Sequence, residues 1–337
     1  MMTPDTERTM AKGPGKHYRN GLSLIEVMNM FPTDEAAREW FEEVRWGGEP
    51  ACCDCGSLNV QCGASHPSQT HRCRDCRKFF SVTKGTAMER TKLGLRVWAI
   101  AIYLMSTELK GRASMKLRRD LGITQKAAWH LAHRLRQAWE ENNGLSLFDG
   151  PVEVDEAYFG GKRANMSTAK RKELEGTGRG PVGKTAVVAA KDRETKQVAA
   201  RVIEATDRAT LQGFVDEHAS PDAALYTDDA TAYRGSGREH ETVKHSAAEY
   251  VRYLEGATIH TNGVESFWSM LKRAHKGTFH RLSAKHLQRY VNEFCGRHNV
   301  RELDTIDQMR LLAKGLEGKR LRFKDLIADT GVPAAAT

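Results

Sequence analysis

The sequence predicts an α/β unit on a mixed sheet in its C-terminal half, preceded by a small four-cysteine ribbon and a three-helix module. Three observations predict it. From Val152 to His298, short apolar runs alternate with amphipathic segments, the pattern of a sheet buried by helices. Two Cys-x-x-Cys pairs, Cys52/Cys55 and Cys73/Cys76, stand 17 residues apart. A basic segment then carries apolar residues at helical spacing on both sides of Gly122-Ile123.

A chain of 337 residues is long enough for two or three domains, each with its own core. No apolar run reaches the roughly 18–20 residues of a membrane span. The first 19 residues are polar and basic, without the apolar stretch of a secretion signal. A cytoplasmic protein with no membrane partner is expected. The net charge is +9. From Lys84 to Trp139 twelve Lys and Arg face only Glu89, Glu108 and Asp120. A basic module beside a near-neutral remainder is the electrostatic footprint of a nucleic-acid partner.

Residues 1–18 lack apolar periodicity and are expected to be disordered. Residues 19–50 read as a short helical element, with a start at Pro32-Thr33-Asp34-Glu35 and Ala37, Trp40, Phe41 and Val44 on one side. Residues 51–86 form the ribbon. Six of the seven cysteines fall between Cys52 and Cys76, which favours metal over disulfides. Each Cys-x-x-Cys turn presents two sulfurs to one tetrahedral ion, so Cys52, Cys55, Cys73 and Cys76 are candidate ligands of a structural Zn2+. Cys53 lies inside the first knuckle and Cys62 in the connecting hairpin, and His66 and His71 are close enough in sequence to replace a thiolate.

Residues 87–143 read as a helix-turn-helix. Leu95 to Leu104 forms a first helix, Ser114 to Leu121 a second, and Thr124 caps a third from Gln125 to Arg136. In the recognition position of such a motif, Gln125, Lys126, His130, His133 and Arg134 are the candidate DNA contacts. Residues 301–337 are left as a C-terminal tail.

After a glycine-rich joint at 144–150, residues 150–300 carry strands at Val152–Asp155, Thr185–Ala190, Val198–Ile203, Ala224–Thr227 and Thr242–Lys244. Helices follow at Thr210–His218, Gly263–Ala274 and Ser283–His298. A polar, basic loop spans 162–183 and includes Lys170-Arg-Lys172. Strand–strand–strand–helix–strand–helix–strand–helix is the order of a ribonuclease H-like fold. Asp155 and Asp228 each close a strand, and Glu265 lies on the next helix. Lys272 follows seven residues later, close to the same face at about 100° per residue. Three carboxylates so placed suit two Mg2+ or Mn2+ ions about 3.5–4 Å apart, which neutralise the attacking and leaving oxygens of a phosphodiester. Glu153, Glu156, Asp229 and Asn262 compete for these roles. Lys272 is a candidate phosphate contact. His275, His280, Arg281 and Arg297-His-Asn299 are candidate backbone contacts, and Trp268 reads as core rather than a base-stacking platform.

With these residues in place, the chain resembles the DDE transposases of bacterial insertion sequences, in particular the zinc-ribbon group numbered fifteen-ninety-five. The resemblance runs from about Pro32 to Asn299. It includes Cys73-Arg-Asp-Cys76 with its continuation to Thr86, Val154-Asp155-Glu156-Ala-Tyr-Phe-Gly-Gly161 and Tyr226-Thr-Asp228. His260-Thr-Asn-Gly-Val-Glu-Ser-Phe-Trp268, Gly277-Thr-Phe-His280 and the segment from Tyr290 to Asn299 complete it. It implies metal-dependent cleavage at terminal inverted repeats and transfer of the free 3′-OH into target DNA. Asp155 and Asp228 carry over directly. The third ligand stays open between Asn262 and Glu265, because the Asn-x-x-Glu motif ahead of Lys272 holds both. Cys53 stands where ribbons of the group have proline, which leaves Cys52 and Cys53 both open as ligands. Double-stranded DNA is the implied partner, bound by a homodimer or higher oligomer because two element ends must be held. The alternatives are a DNA-binding regulator derived from a transposase, and a nuclease or resolvase on the same fold.

Overall fold

A computed structural model describes residues 19–140, 147–161, 163–175, 182–228, 231–243, 251–254 and 257–328. The expected disorder of residues 1–18 lies outside them. So do Lys162 and 176–181 of the basic loop, Asp229, Lys244 and 329–337, and of Lys170 only the backbone is described.

Two capped helices come first among the described residues. Ser23 and Glu26 form a reciprocal capping box on α1 (Leu24–Met30), and the Thr33 hydroxyl accepts from the Ala36 amide at the start of α2 (Asp34–Trp46). The ribbon is a three-stranded antiparallel sheet of β1 (Val60–Cys62), β2 (His71–Cys73) and β3 (Phe79–Phe80). Helices α3 (Leu95–Thr107), α4 (Ser114–Leu121) and α5 (Gln125–Ala138) follow. Gly122 closes α4 in the left-handed region, and Thr124 caps α5 by accepting from the Ala127 amide.

A five-stranded mixed sheet, as the sequence predicts, fills the next part. Its strands are β4 (Val152–Phe159), β5 (Thr185–Asp192), β6 (Val198–Ile203), β7 (Leu225–Asp228) and β8 (His240–Val243), in the order β6-β5-β4-β7-β8. β4, β5 and β6 are antiparallel neighbours, whereas β7 runs parallel to β4, and β8 to β7. α6 (Thr168–Glu173) lies in the connection between β4 and β5, and α7 (Arg208–His218) joins β6 to β7. A hairpin of β9 (Arg252–Leu254) and β10 (Ala257–Ile259), which periodicity does not reveal, leads into α8 (Asn262–Ala274) and α9 (Ala284–Asn299). Successive residues of β4 face opposite ways. Val152 and Val154 pack with Leu211, Phe214 and Val215 of α7, while Ala157 and Phe159 pack with Phe267, Trp268 and Val291 of α8 and α9.

Residues 301–328 do not trail as a tail but fold back onto the helices. Thr305, Gln308, Met309, Leu312 and Ala313 are the buried residues of α10 (Thr305–Lys314), at the spacing of one helical face. Met309, Leu312 and Leu316 join Phe41, Trp98 and Leu135 in a single helical core. The main chain adds bonds from Ala87 N to Leu316 O (2.8 Å) and from Gly318 N to Gly85 O (2.9 Å). α11 (Phe323–Ile327) then lies beside α5, where Phe323 meets Trp129 and His130.

Candidate active site and metal centre

The two cysteine knuckles bring four sulfurs within 4.8 Å of one another, those of Cys52, Cys55, Cys73 and Cys76. The contacts Cys52–Cys76 and Cys55–Cys73 are both 3.6 Å. A tetrahedral ion with Zn–S bonds near 2.3 Å needs sulfurs about 3.8 Å apart, so the donor set fits a structural zinc. Cys53 and Cys62 stand outside this group. The histidines are engaged elsewhere. His66 Nδ1 accepts from the Ser68 and Gln69 amides, and His71 bonds Thr70 and stacks on Phe80.

In the mixed sheet, the register pairs Val154 of β4 with Thr227 of β7. Asp155 and Asp228 are the next residues on these two parallel strands, hence side by side and on one face. Burial, with the Asp228 carboxylate beside it, pushes the Asp155 carboxyl up to about 6. The Glu156 amide and the Lys272 ammonium act in the other direction, and Glu265 adds to the rise. Asp155, Asp228, Glu265 and Lys272 therefore share one electrostatic neighbourhood. A buried acid with other carboxylates beside it suits a divalent cation, and carboxylate oxygen is the hard donor that magnesium and manganese prefer. Among the described residues only the four sulfurs converge as tightly as 4.8 Å. Acids serving a pair of ions need not meet at one point.

Glu265 is half-buried in the first turn of α8, where the Thr261 hydroxyl donates to it at 3.3 Å. Asn262 and Lys272 are exposed on the same helix. Glu156 faces the opposite side of β4 and accepts a bond from the hydroxyl of Tyr233, a fully buried ring. Burial pushes Glu156 up to about 7, a rise the Tyr233 bond opposes. Glu153 is buried as well, held by Arg193, His260 and the Val264 amide. Tyr233 and Arg193 carry no signal in the sequence, because only the register of the sheet brings them to these acids. Trp268 is core, 2% exposed.

The candidate DNA contacts on α5 divide. Gln125 and Lys126 are exposed, with the Lys126 ammonium 4.3 Å from the centre of the Phe323 ring. His130 and Arg134 both bond the Leu321 carbonyl (2.9 and 3.1 Å), and His133 is wholly buried against Trp129, His286 and Tyr290. α9 and the returning C-terminal segment thus occupy the side of α5 that carries these three, whereas Gln125 and Lys126 stay open. Arg297, His298 and Asn299 are likewise engaged within the chain. Arg297 pairs with the buried Glu293, His298 bonds the Lys196 carbonyl, and Asn299 bonds both backbone groups of Val198. His275 sits in a π-helical turn with its ring 5.9 Å from Phe159, and His280 and Arg281 are exposed just beyond it.

Among the described residues no helix is long and apolar enough to cross a membrane. Residues 147–299 match the family described as the ISXO2-like transposase domain, and residues 32–79 match the transposase zinc-ribbon domain. A relative from Halobacterium salinarum, described as an uncharacterized protein in transposable element ISH50, is 25% identical over 284 residues. That alignment covers 80% of this chain and 92% of the relative. Residues 147–299 are thus a transposase domain of the IS1595 type, preceded on the same polypeptide by the zinc ribbon of that group.

Proposed function

We propose that the chain binds the terminal inverted repeats of its own insertion sequence and catalyses strand cleavage and strand transfer there. The observation that carries this reading is the placement of Asp155, Asp228, Glu265 and Lys272. Two carboxylates stand on adjacent parallel strands, and a third lies on the helix packed over them, with an ammonium two turns on. The strand order, with three antiparallel strands followed by two parallel to the first, supports a ribonuclease H-like core. Asp155, Asp228 and Glu265 would hold two divalent ions, whose charge, when bound, neutralises the attacking and leaving oxygens of the scissile phosphate. The protein's own part is positioning and electrostatics. Lys272 is exposed on the acids' side of α8 and contacts a phosphate flanking the reacting one, while His280 and Arg281 extend the backbone contact. The ribbon zinc holds the N-terminal fold, and the turn between α4 and α5 supports a helix-turn-helix that presents Gln125 and Lys126 to the element end. Two copies act together, one on each end.

The test is cleavage and joining of DNA carrying the gene's flanking ends, with Mg2+ or Mn2+, by the intact protein and by Asp155→Ala. Metal-dependent joined products that vanish in the variant are expected. Cutting without joining would identify a nuclease or resolvase instead. Tight end binding without cutting would identify a regulator that has kept only the DNA-binding half.

A further inference from the structure

Glu153 is 1% exposed, a position where a carboxylate is tolerated only when paired and hydrogen-bonded. It lies two residues before Asp155 on the same face of β4. Its Oε2 accepts from the Val264 amide at 2.9 Å, and its Oε1 accepts from Arg193 Nε at 2.8 Å, with His260 Nδ1 at 3.2 Å. Val264 N–H is one of the first-turn donors of α8 that has no partner within the helix, and a negative charge there complements the helix dipole. Arg193 reaches further, donating to the carbonyls of Thr258 on β10 and His260. Lys191 on β5 donates to the Gly263 carbonyl at 3.0 Å. Glycine at 263 leaves room for this contact, since a Cβ there would stand 2.6 Å from Glu153 Oε2 and the carboxylate would have to shift.

We infer that Glu153, tied to Arg193, is a positioning residue that clamps the first turn of α8 onto β4 and thereby sets Glu265 against Asp155 and Asp228. Glu265 directly follows the clamped amide, so a shift of that turn carries its carboxylate away from the other two. The inference rests on the reading of these acids as the divalent-metal site. Glu153 itself touches neither metal nor DNA.

The experiment compares full-length, zinc-loaded wild type with Glu153→Gln, Gly263→Ala and Asp155→Ala. Glutamine offers one acceptor oxygen where two donors converge, and alanine pushes the carboxylate aside from the opposite direction. If one variant fails to fold, the other carries the test. Three readouts are taken: hydrogen exchange of the Val264 and Glu265 amides without added metal, Mn2+ binding by calorimetry, and the thermal midpoint. The expected result is faster exchange at the two amides and a Mn2+ midpoint raised about 10–100-fold, with binding that still saturates. Faster exchange with a wild-type Mn2+ midpoint would overturn the proposal, because the clamp would then serve stability alone. Binding that never saturates in Glu153→Gln would also overturn it, by making Glu153 a ligand. If wild type and Asp155→Ala take up Mn2+ alike, the metal-site reading itself fails and takes this inference with it. The exchange data would still report separately whether Glu153 holds the helix.

Discussion

Asp155 and Glu156 are neighbours on one strand, yet they face opposite sides of the sheet and meet different partners. Both acids sit above their ordinary range without metal, near 6 and 7, chiefly because burial disfavours the charged form. Acids raised in the folded state bind more protons than in the unfolded chain between about pH 4 and 7, so the stability they contribute is lost as pH rises through that window. The metal-free protein should therefore lose thermal stability from pH 5 to pH 8, less steeply in Asp155→Asn. Mn2+ should bind more tightly over the same rise, because the protons must leave first. A thermal midpoint that changes identically in the variant would remove Asp155 from this account. The cysteines allow a second comparison. Elemental analysis should find one zinc per chain in wild type and in Cys53→Ser, and loss of zinc in Cys52→Ser, since only the latter sulfur belongs to the converging set.

At the scale of elements, α5 illustrates how little of a basic helix is left for a partner. Lys126, His130 and Arg134 form one stripe at a spacing of four residues, and all three meet the returning segment at Leu321 or Phe323. Lys126 keeps its charge exposed, whereas His133 on the adjoining face is sealed by Trp129, His286 and Tyr290, and burial drives its pKa far down. Lys126→Ala should weaken binding to the element ends and lower the salt slope of affinity by about one. His133→Leu should leave that binding unchanged, and its stability should stay level or rise, because the buried ring makes no hydrogen bond among the described residues. Titrations at several salt concentrations together with thermal melts would separate the two, and a loss of DNA affinity in His133→Leu would restore that residue to the reading face.

At the scale of the whole molecule, residues 305–316 pack against the N-terminal helices, and the helical and sheet halves meet each other. Residues after 300 supply Met309, Leu312 and Leu316 to the core built by α2, α3 and α5. Leu312→Ala should cost roughly 2–5 kcal/mol in urea unfolding of the full chain, the range for a buried leucine whose cavity does not collapse. A negligible change would mean that the C-terminal helix only rests on the surface. The halves meet at α5 and α9, where Arg136 donates to the fully buried Glu293 at 2.7 Å and Arg297 adds a second contact at 3.4 Å. The Arg136 guanidinium also stacks 4.0 Å from the centre of the Tyr290 ring. Such a triad is costly to break one member at a time, so it holds the helical half in register with the sheet that carries the acids.

Much of this was legible along the chain because the controlling physics is local. The two-residue gap between Cys52 and Cys55 dictates a knuckle, Thr124 dictates where a helix begins, and alternation from Val152 onward dictates a strand. Asp155, Asp228 and Glu265 stood out as candidates because each follows or lies on a strongly patterned element. What only the tertiary structure decided depends on partners distant in sequence. Arg193 meets Glu153 across 40 residues, Tyr233 meets Glu156 across 77, and Leu321 occupies Arg134 across 187. A charged or aromatic residue reads the same in sequence whether it faces solvent, DNA or another part of its own chain. Burial and register distinguish these outcomes, and both are properties of the assembled fold.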